Sequence, residues 1–138
     1  MKKLDNFSGS LNVLKNADFA LADENEIYRT GVVGQFNLTF ALAWKALQAV
    51  LREHGVADAE TGSPREILQL GYKLGFLEEP AVWQMMLKKR NTAVHIYNED
   101  EIDALLLLIR NSFLPAFLAL EQTLIKKLAE ADADWTRA

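Results

Sequence analysis

The octapeptide Arg90-Asn91-Thr92-Ala93-Val94-His95-Ile96-Tyr97 places three side chains that can act on a phosphodiester within eight positions. Arginine is a permanent cation whose planar fork matches phosphate oxygens. Histidine exchanges protons near neutral pH. One can hold and neutralise a phosphate while the other moves a proton at it, and Tyr97 adds a hydroxyl two positions on. Lys88 and Lys89 directly precede Arg90 and make the segment locally basic. On an uninterrupted helix Arg90 and His95 would stand about 140° apart. They converge only if the helix ends near residue 93 or 94, or if two copies contribute across a two-fold axis. Each residue also has a plain structural reading. Lys88 and Lys89 are then a solvated face, Arg90 an end-of-helix cation, His95 a helix-terminal residue, and Tyr97 a packed aromatic with a wet hydroxyl.

The remaining sequence excludes much other chemistry. The chain has no cysteine, so thiol nucleophiles, thiolate metal sites and disulfides are out, as in proteins of a reducing cytoplasm. Its two histidines, His54 and His95, are far apart and lack metal-ligand spacing, and neither a metal nor another cofactor is expected. Gly31 and Gly34 stand three apart without a preceding strand, and are expected to permit close helix packing rather than to cradle phosphate. Fifteen basic against nineteen acidic residues give a formal charge of −4. That balance argues against indiscriminate nucleic-acid binding, which needs a basic surface. The longest unbroken apolar stretch, residues 104–109, is too short to span a bilayer, so no membrane is expected.

The elements that must position these residues are all helical. At 138 residues, half of them hydrophobic, the chain is expected to form one domain, residues 1–138, around one core. Leu4, Leu11, Leu14, Phe19 and Leu21 suggest a first helix fading over residues 22–25. Val33, Phe36, Phe40, Ala43, Leu47, Val50 and Leu51 recur at threes and fours and predict a second helix over residues 26–54. Gly55 closes it, because glycine readily takes the left-handed conformation, and His54 suits the negative helix end. His54 therefore reads as a helix terminator rather than a catalyst. Residues 56–62 form a loop. Ser63-Pro64-Arg65-Glu66 is a capping box opening a short third helix that Gly75 ends. Glu78-Glu79-Pro80 opens a fourth, which Val82, Trp83, Met86 and Leu87 carry toward Arg90. Asn98 followed by Glu101 caps a last helix running to about residue 130, which Pro115 should kink near Asn111. Residues 131–138 read as frayed. The expected architecture is an all-α, up-and-down antiparallel bundle of four to five helices. Residues 105–109 are five consecutive large aliphatics, more than one face can bury, and they predict a homodimer seam through the fourth and fifth helices.

With these residues placed, the chain resembles the HEPN-domain proteins and, among them, the nucleotidyltransferase substrate-binding proteins related to the HepT toxins. The likeness covers nearly the whole sequence. Tyr28-Arg29-Thr30-Gly31-Val32-Val33-Gly34-Gln35-Phe36-Asn37-Leu38-Thr39-Phe40-Ala41-Leu42-Ala43-Trp44-Lys45 is similar to that family's second-helix signature. Ser63-Pro64-Arg65-Glu66 matches its third helix, and Leu114-Pro115-Ala116-Phe117 its kinked last one. Arg90, a polar Asn91, three variable positions and His95 fit the HEPN motif, which Tyr97 extends to the toxin form. The chain departs at Asn37 and Ala41, where relatives often carry glutamates.

The resemblance implies a cytoplasmic homodimer whose two motifs line one cleft, and a cognate minimal nucleotidyltransferase as partner. It leaves the activity open. In one reading the protein is a metal-independent ribonuclease toxin, in which His95 acts as general base or acid, Arg90 stabilises phosphate charge, and Asn91 orients the pair. Tyr97 is then the hydroxyl that the partner adenylylates. In another, Lys88, Lys89 and Arg90 hold a nucleotide or other substrate for the partner, and nothing is cleaved. In a third the dimer is only a scaffold. The complete motif favours the ribonuclease.

Overall fold

In the computed structural model the described residues are 1–90 and 98–137, with side chains described as far as residue 133. The elements are α1 (Lys2–Lys15), α2 (Phe19–Glu24), α3 (Glu26–Glu53), a 3₁₀ turn (Ala57–Ala59), α4 (Pro64–Lys73), α5 (Pro80–Lys89), α6 (Glu99–Leu108), a π-helical turn (Ile109–Phe113) and α7 (Leu114–Arg137). There is no strand among them, as the helical periodicity requires.

The long α3 is central, packing against α1, α4 and α7. Its apolar positions, Val33, Phe36, Phe40, Ala43, Leu47, Val50 and Leu51, are all fully buried or nearly so, as their spacing predicts. At the α1 contact the one buried polar cluster among the described residues is fully paired. Thr39 Oγ1 donates to the Gln35 carbonyl at 2.7 Å and lies 2.8 Å from Ser10 Oγ, to which Gln35 Nε2 donates at 3.0 Å. Such pairing removes the cost of burying hydroxyls and fixes the register of α1 on α3. At its far end α3 stops as expected, with Gly55 at φ +75° and His54 at the C-cap. His54 Nε2 donates to the Lys127 carbonyl at 2.6 Å, and its ring meets Phe76 edge-on. The histidine thus clasps α3 to α7.

The sequence reading differs from the structure at several points. The expected first helix is two, because Asp18 begins a new one: its carboxylate accepts the Leu21 N–H, while its own N–H donates to the Tyr28 hydroxyl at 2.7 Å. Gly31 and Gly34 are not close-packing sites within this chain, since a Cβ on either would meet nothing within 4 Å. Gly71 has that role. A Cβ there would lie 2.7 Å from a Leu47 methyl, so glycine lets α4 settle on α3. Nor does the last helix fray at residue 131, for α7 continues to Arg137.

Pro115 acts where its missing N–H dictates. The helix widens over Ile109–Phe113, and the Leu114 N–H reaches back five residues to the Ile109 carbonyl. Within residues 105–109, Leu105, Leu106 and Ile109 enter the core of this one chain, Leu108 is half-buried and Leu107 is 58% exposed. The span Glu99–Ala133 is long and apolar enough to cross a membrane by length and composition, although no unbroken apolar run within it is. The core helix of a water-soluble protein meets the same test, and Leu105, Ile109, Phe113, Phe117, Leu120 and Leu124 all lie in the core here.

The core is organised around Phe117, whose ring centroid lies 6.2 Å from Phe7, 6.3 Å from Phe36 and 5.5 Å from Trp83. One side chain therefore joins α1, α3, α5 and α7. Phe117→Ala should cost about 3–5 kcal/mol, read as a lower denaturant midpoint at unchanged slope. A loss under about 1 kcal/mol would contradict this packing.

Candidate functional site

The basic cluster forms the C-terminal end of α5. Pro80 starts this helix at its first position, preceded by Glu79 in a left-handed conformation at φ 56°. Trp83, Met86 and Leu87 bury its inner face, which leaves Lys88 and Arg90 exposed and Lys89 half-buried with a partner. Arg90 has already left helical geometry, with φ −57° and ψ 143°, although its N–H still donates to the Met86 carbonyl at 2.9 Å. Helix α5 therefore ends at Lys89, and the 140° separation of a helix continuing through Arg90 does not apply. Asn91, His95 and Tyr97 lie outside the described residues.

The next described helix is α6. Asn98 caps it by accepting the Asp100 N–H at 2.9 Å, and Glu99, Asp100 and Glu101 fill its first turn. Lysines at the end of one helix and carboxylates at the start of the next each complement their own helix dipole. Among the described residues, Lys88 and Arg90 at the end of α5 are the exposed cations nearest in sequence to the rest of the motif. Elsewhere, Arg29 of α3 forms an ion pair with Asp103 of α6, its side chain largely buried and its Nε without a hydrogen-bond partner among the described residues. Tyr28 and Arg29, both within the second-helix signature, are fasteners: one fixes the α1–α2 link, the other α6. Among the described residues no group of three or more His, Asp or Glu side chains is arranged to hold a metal.

Sequence reasoning missed the cavity between α4 and α5. It measures about 260 Å³ and is lined by Arg65, Leu68, Gln69 and Tyr72 from α4, by Leu77, and by Pro80, Trp83, Gln84 and Leu87 from α5. Both helices contribute positions i, i+3, i+4 and i+7, one face each. The signal was present: each face carries a glutamine at i+4 where an amphipathic helix packed on its neighbour would bury an aliphatic.

These features define an all-helical bundle with a cationic helix end and a cavity beside it. The chain belongs to the nucleotidyltransferase substrate-binding-protein-like family, which matches residues 2–126. It is also similar to a protein from Thermus thermophilus of known crystal structure, at 29% identity and a TM-score of 0.68, over 88% of this chain and 98% of that one. Comparison with curated proteins gives no match.

Arg65 is set by the capping box at the start of α4. Glu66 N–H donates to Ser63 Oγ at 3.2 Å, and Ser63 N–H donates to Glu66 Oε1 at 3.1 Å. The hydrogen bonds from Ser63 lower the Glu66 pKa below its ordinary value. A lowered folded pKa means that this stabilisation is complete above the unfolded value and fades as the pH falls through the folded one. Glu66→Gln should therefore flatten the acid limb of the stability profile below the ordinary carboxylate range. An unchanged acid limb would count against the box.

Proposed function

We propose that the chain is the substrate-binding partner of a separate nucleotidyltransferase, acting as a homodimer in the cytoplasm. The match of residues 2–126 to a family described by that role carries the reading. In nucleotidyl transfer a substrate hydroxyl attacks the α-phosphorus of a nucleoside triphosphate and pyrophosphate leaves. The transferase supplies that machinery. Lys88, Lys89 and Arg90, at the exposed end of α5, hold anionic substrate groups through charge-assisted hydrogen bonds. Leu107, 58% exposed within an otherwise core-facing run, supports the homodimer and its place on α6.

The Arg90–His95 motif favours a second reading, the metal-independent ribonuclease. His95 takes the proton of a ribose 2′-hydroxyl, whose oxygen attacks the adjacent phosphorus while the bond to the 5′-oxygen breaks. Arg90 stabilises the charge gathering on the phosphate, and Asn91 orients the pair. Adenylylation of Tyr97 by the transferase adds negative charge and a base beside Arg90, and so closes the site to RNA.

Purified chain incubated with single-stranded RNA in EDTA separates the two. The substrate-binding reading expects intact RNA from the wild type and from His95→Ala alike. Cutting that His95→Ala abolishes transfers the conclusion to the ribonuclease. Co-expression with the transferase then provides a further check by mass spectrometry: an adenylyl adduct on the Tyr97 peptide, lost in Tyr97→Phe, belongs to the toxin reading, and its absence to the binding reading.

A further inference from the structure

The cavity between α4 and α5 is built unlike a gap left by imperfect packing. Leu68, Leu77, Trp83 and Leu87 form its buried apolar wall, Trp83 being only 2% exposed. Four side chains stand around its mouth: Arg65, Gln69, Tyr72 and Gln84. None of the four has a hydrogen bond or ion pair among the described residues, and no carboxylate lines the cavity. A planar hydroxyphenyl ring 54% exposed at an apolar recess, two free amides and one free guanidinium recognise different parts of one kind of molecule.

We infer that this cavity is a nucleotide site taking an adenine mononucleotide, with the base against Tyr72 and the apolar wall and the phosphate on Arg65. Nucleobases stack on exposed aromatic rings whatever their sequence context. A glutamine amide offers a donor beside an acceptor, the pattern complementary to adenine N7 and its exocyclic amine. Arg65 supplies the fork that suits a phosphate. Seven residues separate Arg65 from Tyr72 on α4, about 10 Å along the helix axis, which leaves room for a sugar between base and phosphate. The cavity holds a base but not a folded polypeptide segment. Lys88, exposed one turn beyond Gln84 on α5, is a further cation on the same helix.

The inference rests on the substrate-binding reading for the use made of the nucleotide, but the binding is tested by itself. Calorimetric titration of the full chain with AMP should show saturable binding, with ribose 5-phosphate and adenosine each at least about tenfold weaker. Tyr72→Ala should weaken AMP about tenfold. Arg65→Ala should weaken AMP by a similar factor and leave adenosine unchanged, while Lys15→Ala, an exposed cation on α1, should change neither. No heat with AMP at millimolar concentration overturns the site. Ribose 5-phosphate binding as tightly as AMP, or AMP binding untouched by Tyr72→Ala, overturns it too. A chain that associates with its transferase yet ignores AMP defeats the site and leaves the substrate-binding reading standing. AMP binding sensitive to Tyr72 and Arg65 supports the site even where no transferase associates.

Discussion

A single missing hydrogen-bond donor governs how this bundle closes. Pro115 cannot donate to the carbonyl one turn before it, so the long final helix widens over Ile109–Phe113 instead of continuing regularly. The wide turn delivers two rings to the core four residues apart. Phe113 stacks on Phe36 at 5.1 Å, and Phe117 meets Phe7, Phe36 and Trp83. Trp83 is the anchor of α5, the helix that ends in Lys88, Lys89 and Arg90 and forms one wall of the α4–α5 cavity. The position of the cationic helix end therefore depends on a proline more than twenty residues further along the chain.

Around that core the polar side chains serve mainly to hold helices in register. Ser10, Gln35 and Thr39 lock α1 to α3, Tyr28 fixes the α1–α2 link, His54 clasps α3 to α7, and Arg29 ties α3 to α6. Among the described residues, polar groups open to a ligand include those at the exposed α5 terminus and at the mouth of the cavity beside it. They adjoin, because both are built on α5. A substrate-binding subunit needs such an arrangement, rigid in its backbone and open in its side chains.

Much of the architecture was legible in the sequence because local chemistry dictated it. The bounds of α3 follow from its period and from Gly55, the start of α4 from Ser63 and Glu66, that of α5 from Pro80, and the irregularity in the last helix from Pro115. Features that depend on distant neighbours were not legible. The break before α2 turns on a hydrogen bond from Asp18 to Tyr28, ten residues away. The glycine that matters for close packing is Gly71, distinguished from Gly31 and Gly34 only by Leu47 across the interface. The cavity requires two helix faces to meet, and neither helix alone displays it. Of the arginine–histidine–tyrosine motif, Arg90 falls within the described residues, at a helix end where its side chain is exposed.

The most direct measurement is the rate of nucleotidyl transfer to a small-molecule acceptor by the cognate transferase, with and without this chain. A substrate-binding partner should make transfer depend on the chain, saturating at a fixed ratio of the two proteins, with Arg90→Ala raising the acceptor concentration needed for half-maximal rate. An equal rate in its absence, or label found only on the chain itself at Tyr97, would contradict the account.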